Sequence, residues 1–136
     1  MATQLTIAII GAGSLTGKKS AKKLAVGNNR LLLADENRKE LLLLKKEIES
    51  GAPGVEVEIM DCIKEAGWEA DIVVLALNWQ KEREIFTMIK PFITGKTLIS
   101  FSRDNNCLLP YSTVISLNEN KKDWADEMEL ALDRVY

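Results

Sequence analysis

Histidine is absent from this chain of 136 residues, and cysteine (2), proline (3) and aromatic residues (6%) are scarce. Without imidazole, the usual zinc centres lose their commonest nitrogen ligand and Ser-His-Asp chemistry loses its base. Cys62 and Cys107 form neither a CxxC pair nor a dense disulfide pattern. They read as reduced structural thiols, and no metal site is expected. No apolar run approaches the roughly 18 residues of a membrane span. The start, "MATQLTIAII", has neither the basic opening nor the cleavage signature of a secretory signal. A cytoplasmic location without membrane contact is therefore expected. Positive charge is not in excess either: a formal net charge of -2 offers no broad basic field, so nucleic acid is not expected as a partner.

What remains is 46% apolar and 28% charged residues over a length suited to one domain, residues 1–136, with a real core and no separate substrate domain. Short apolar or β-branched segments at Leu5–Ile10, Arg30–Ala34, Val55–Met60, Asp71–Leu77, Lys96–Phe101 and Thr113–Leu117 are bounded by Gly, Pro, Asn or Asp and read as strands. Helical patterns fill Leu15–Val26, Asn37–Ser50, Ile63–Trp68, Trp79–Ile89 and Lys122 to about Val135. Alternating strand and helix, with strands apolar on both faces, predicts an α/β fold. Its doubly wound, mainly parallel sheet has about six strands and helices on both faces.

The first crossover, "TIAIIGAGSLTGKKSAKKLA", places Gly11 and Gly13 where a buried strand turns into a helix. Glycine permits the tight turn, the missing Cβ lets a pyrophosphate approach the backbone, and the helix N-terminus supplies free amides and a positive dipole end. Ala12, Ser14, Leu15, Thr16 and Gly17 complete that turn. Asp35 ends the second strand, "RLLLAD", where a carboxylate accepts hydrogen bonds from adenosine ribose hydroxyls. Strand, glycine turn, helix and acidic strand end together predict a Rossmann-type nicotinamide-dinucleotide site. The spacing departs from G-x-G-x-x-G, since Thr16 precedes Gly17. Either the turn carries an extra residue or the helix begins one residue later. Arg38 and Lys39 lie where a 2′-phosphate would come, but Asp35 would repel it, so charge favours NAD over NADP. Lys18, Lys19, Lys22 and Lys23 read as a solvated helix face.

"IIGAGSLTGKKSAKKLA" and "EADIVVLALNWQKEREIFTMIKPFITGKTLISFS" resemble the N-terminal Rossmann domain of NADP oxidoreductases that work with a deazaflavin coenzyme. Pyrroline-carboxylate reductases and the cytosolic domain of membrane metalloreductases look similar. The resemblance implies hydride transfer to or from a nicotinamide cofactor, with Leu77, Asn78 and Trp79 beside it. Family members carry proline where this chain has Asn78, and they continue into a helical domain that completes the substrate pocket. They also commonly read NADP through a hydroxyl residue and an arginine. Here Asp35 holds the first place and Arg38 follows. The resemblance favours NADP, the carboxylate favours NAD, and the carboxylate is given more weight.

Other residues have two readings. Trp79 stacks on a cofactor ring or packs in the core. Trp68 covers the sheet. Trp124, Met128 and Leu132 form one apolar stripe, facing either the chain's own sheet or a second subunit in a homodimer that would cover an open nicotinamide site. The polar segment "SRDNN", Ser102–Asn106, leaves the fifth strand on the ligand side or makes a turn. Cys62 follows Asp61, but no base is visible to activate it. No catalytic acid or base can be named. Two other functions compete with an oxidoreductase. "DCIKEAGWEADIVVLALN" resembles the nucleotide-sensing domains of potassium-transport regulators, and the whole chain suits a non-catalytic scaffold.

Overall fold

The computed structural model describes residues 4–101 and 112–135, apart from the Trp79 side chain. Along the chain run β1 (Leu5–Ile10), α1 (Leu15–Ala25), β2 (Asn29–Ala34), α2 (Arg38–Gly51), β3 (Glu56–Ile59), α3 (Ile63–Glu69), β4 (Ile72–Leu75), α4 (Trp79–Ile93), β5 (Thr97–Ser100), β6 (Thr113–Ser116) and α5 (Trp124–Val135). One six-stranded sheet has the order β3-β2-β1-β4-β5-β6, and every pairing is parallel. The order reverses between β1 and β4. That switch point opens a crevice at the carboxyl ends of the strands, where doubly wound sheets bind ligands.

Alternation along the strands divides the core. Ile7, Ile9, Leu31, Leu33, Ile72, Val74 and Ile99 face α1, α2 and α5, while Ala8, Ile10, Leu32, Val73, Leu75 and Leu98 face α3 and α4. Each such side chain contributes about 1.5–3 kcal/mol when fully buried, which is why the strands read as unbroken apolar runs. Three helices at the carboxyl edge begin with a polar cap. Ser14 accepts from the Gly17 amide, Asn37 from the Glu40 amide and Asn78 from the Lys81 amide. Asn78 thus has a structural reason to replace proline, because its side chain satisfies a first-turn N–H.

Two expectations need adjusting. α4 runs past Ile89 through Pro91 to Ile93, because Ile89 and Ile93 continue its buried stripe and burial outweighs one lost backbone bond. Trp68 does not cover the sheet: it is 68% exposed. α3 packs so closely on α4 that a Cβ at Gly67 would lie 3.1 Å from Ile93 Cγ2, so the buried positions of this stretch are the small residues Ala66, Gly67 and the C-cap Ala70. Trp68 points outward beneath Lys96, whose Nζ lies 5.7 Å from the ring centroid and donates to the carbonyls of Gly67 and Trp68. Burial holds the Lys96 ammonium below the usual lysine range.

The stripe on α5 turns inward. Trp124, Met128 and Leu132 are buried in the same core as Ile7 and Ile99, and the Trp124 ring meets Phe101 edge to face at 5.0 Å. These three residues leave no apolar surface for a second subunit.

Candidate functional site

The glycine turn is tied down from three sides. The amides of Gly11 and Ala12 donate to the Ala34 carbonyl at 2.8 and 3.1 Å, which fixes the turn to the end of β2. Gly11 has φ +87°, and a Cβ there would lie 2.4 Å from the Ala76 carbonyl oxygen. A Cβ at Gly17 would meet the Gly11 carbonyl oxygen at 2.2 Å. Gly17 therefore does the work of a third fingerprint glycine one place later, letting α1 sit against the turn. The open choice about spacing resolves with Ser14 as N-cap and Leu15 as the first helical residue. The Ser14 hydroxyl accepts from the Gly17 amide at 3.0 Å and lies 2.8 Å from the Gly11 carbonyl and 3.0 Å from that of Ala76, joining the ends of β1 and β4.

Asp35 sits beside this turn. Its Oδ2 accepts from the Gly13 amide and its Oδ1 from the Asn37 amide, both at 2.8 Å. An ionised carboxylate has about four acceptor sites, so roughly two remain open beyond these backbone contacts. A Cβ at Gly13 would lie 2.8 Å from Asp35 Oδ2, and any larger side chain would push the carboxylate away. The amides of Gly11, Ala12, Gly13 and Gly17 are all engaged, by the Ala34 carbonyl, Asp35 and the Ser14 hydroxyl. Leu15 and Thr16 lie in the first turn of α1, where helix geometry provides no partner for backbone N–H groups. Those two amides and the positive end of the dipole are free to face an anion.

Leu77 helps to line a cavity of about 100 Å³ with Ile10, Gly11, Asp35, Ile63 and Ile85. Glu36 and Lys81 complete the lining and pair at 3.2 Å. The hydrogen bond to Glu36, then the charges of Glu36 and Glu84, hold Lys81 above the usual lysine range. Arg38 turns away from this cavity toward Asp61 and pairs with its carboxylate. Asn78 and Trp79 stand at the start of α4 on the same edge, but the Trp79 ring and the "SRDNN" segment lie outside the described residues. The basic run on α1 is largely paired: Lys18 with Glu40, Lys22 with Glu47, Lys23 with Asp126 and Glu129. Lys19 lies 5.2 Å from the Trp124 ring centroid.

Two groups escaped the sequence reading. Glu119, in the loop after β6, accepts a hydrogen bond from the Thr16 hydroxyl and so brings a carboxylate to the first turn of α1. No local signal marks it, because the contact spans 103 positions. Glu82 is buried at 1% exposure and accepts a 2.6 Å hydrogen bond from Ser100. Its signal was legible, since Glu82 lies at helical spacing on the stripe of Ile85, Phe86, Ile89 and Ile93. Among the described residues no group of three or more acidic, Cys or His side chains gathers to hold a metal. No described helix is long and apolar enough to cross a membrane.

No curated protein matches the sequence. Among solved structures, 6-phospho-alpha-glucosidase from gut microorganisms, in complex with NAD and glucose-6-phosphate, superposes with a TM-score of 0.68 at 17% identity, over 98% of this chain and 42% of that one. Pyrroline carboxylate reductase of Plasmodium falciparum with NADP bound gives 0.53 at 16% identity, over 72% and 33%. The 3-hydroxyisobutyrate dehydrogenase of Mycobacterium tuberculosis gives 0.53 at 19%, over 85% and 40%. At these identities the likeness is one of fold, and the chain spans less than half the length of each of these three proteins. The sequence itself carries the closer relationship: residues 6–104 match the model for NADP oxidoreductase, coenzyme F420-dependent. That stretch reaches from β1 past the end of β5 and contains the glycine turn, so the chain belongs to this Rossmann oxidoreductase family.

Proposed function

We propose that the chain is a single-domain, cytoplasmic nicotinamide-dinucleotide-binding protein that orients NAD(H) or NADP(H) for hydride transfer. The observation that carries this reading is the Asp35 carboxylate hydrogen-bonded to the Gly13 amide. This contact joins the ribose-side acid to the phosphate-side turn at the topological switch point. The residues fit the group: two glycines stand where a Cβ would collide with backbone oxygens, and an apolar cavity opens beside the acid. In this reading the Leu15 and Thr16 amides hold the pyrophosphate. Asp35 takes the adenosine ribose hydroxyls, and the cavity under Leu77 and Ile85 holds the adenine. Leu77, Asn78 and Trp79 border the nicotinamide half. The bound cofactor supplies the hydride, while the protein fixes its orientation and shields one face from water.

Asp35 favours NAD, because a 2′-phosphate would meet its negative charge and Arg38 is engaged by Asp61. The substrate enters on the open side of the nicotinamide, which a second copy of the chain would cover. Such a homodimer would have to use a surface other than the buried stripe of α5. Calorimetric titration with NAD, NADH, NADP and NADPH tests the reading. Saturable binding, with the non-phosphorylated pair tighter, is expected. Absence of binding by all four would overturn it, and turnover of the nicotinamide absorbance with a substrate separates the enzyme from a sensor.

A further inference from the structure

Glu82 is a carboxyl group buried in an otherwise apolar helix face, and burial of an acid is costly unless it is well partnered. Capping does not explain it. Asn78 already caps α4 through the Lys81 amide at 3.0 Å, and Glu82 lies one residue beyond that bond. Its backbone N–H makes the first full helical bond, to the Asn78 carbonyl, at 2.8 Å. The side chain instead reaches across to the sheet, where Oε1 accepts from the Ser100 hydroxyl at 2.6 Å.

Ser100 is the last residue of β5 and stands in register between Leu75 of β4 and Ser116 of β6. It shares a sheet face with Leu98, the face covered by α3 and α4. The Glu82–Ser100 bond therefore ties the first turn of α4 to the carboxyl rim of the sheet, one strand beyond the switch point. A dinucleotide whose ribose meets Asp35 at the end of β2, and whose phosphates lie at α1, extends its other half toward β4 and β5.

We infer that Glu82 is a positioning residue for the nicotinamide half of the cofactor: through Ser100 it sets the first turn of α4, and with it Asn78, against the rim of the sheet. The inference rests on the dinucleotide reading above. Losing the tie lets that turn shift, which weakens contacts to the nicotinamide half most; the adenosine half, anchored by Asp35 and α1, feels the shift only at Lys81 and Ile85 in the wall of its cavity.

The test is a pair of calorimetric titrations, with NADH and with ADP-ribose, on wild type, Glu82→Ala, Glu82→Gln, Ser100→Ala and the double variant Glu82→Ala/Ser100→Ala. Losing one such hydrogen bond is expected to weaken NADH binding about tenfold in Glu82→Ala and Ser100→Ala, with the double variant no worse than either. ADP-ribose affinity should stay within about twofold. Glu82→Gln keeps an acceptor oxygen for Ser100 and should lie near wild type. It also carries the test, with Ser100→Ala, if Glu82→Ala does not fold. Equal losses for both ligands would indicate a general structural role and overturn the inference, as would unchanged NADH affinity in both single variants. A wild type that binds ADP-ribose and NADH equally well overturns it while sparing nucleotide binding. One that binds neither ligand overturns both readings.

Discussion

Asp35 does more than its place at the end of β2 suggests. Sequence reading assigned it to ribose hydroxyls. Its two backbone hydrogen bonds show that it also holds the glycine turn in shape, through Gly13, and orders the entry to α2, through Asn37. Asp35→Ser therefore has two effects of opposite sign. It removes repulsion toward a 2′-phosphate, and it loosens the turn. We expect preference to shift toward NADP(H) by about 1–3 kcal/mol, the scale of a charge-assisted contact, while total affinity falls. Parallel titrations with NADH and NADPH check it, and a wild type that already prefers NADPH strongly would contradict the electrostatic reading. Gly13→Val places a branched side chain against Asp35, so dinucleotide binding should be lost while far-UV circular dichroism stays near wild type. Retained affinity would mean that the pyrophosphate does not approach this turn.

Elements were more legible than contacts. Each strand and helix was expected close to where it lies, because strands buried on both faces and helices with one apolar stripe leave distinct periodicities. Boundaries moved where packing overrode local chemistry, as in the continuation of α4 through Pro91. The direction of Trp68 was missed because it depends on how closely α3 approaches α4, which no local pattern reports. The loop between β6 and α5 was equally opaque, although it delivers Glu119 to Thr16. A carboxylate beside the proposed pyrophosphate site opposes phosphate binding. Glu119→Gln keeps the hydrogen bond to Thr16 and removes the charge, so NADH affinity should rise several-fold, with the gain shrinking as salt is added. Isothermal titrations at two ionic strengths measure this, and a fall in affinity would instead give Glu119 a direct part in holding the ligand.

For the whole molecule, the α5 stripe decides what kind of partner is conceivable. Met128 is completely buried, and Met128→Ala should cost about 2–5 kcal/mol in denaturant unfolding, the usual range for a core truncation. A cost under 0.5 kcal/mol, by contrast, marks a surface position. Light scattering after size-exclusion chromatography addresses the homodimer: a mass of 15.2 kDa at high micromolar concentration, with cofactor present, would exclude it. The grip of α5 on α1 also bears on the order in which the protein matures. Lys23 with Asp126, Lys19 over Trp124 and Thr16 with Glu119 each link positions more than 100 residues apart, so α1 is braced by a distant segment as well as by its local pairs with α2. The first βαβ unit can form early from local contacts, while the contacts of α1 with Glu119, Trp124 and Asp126 must wait for a segment about 100 residues further along the chain.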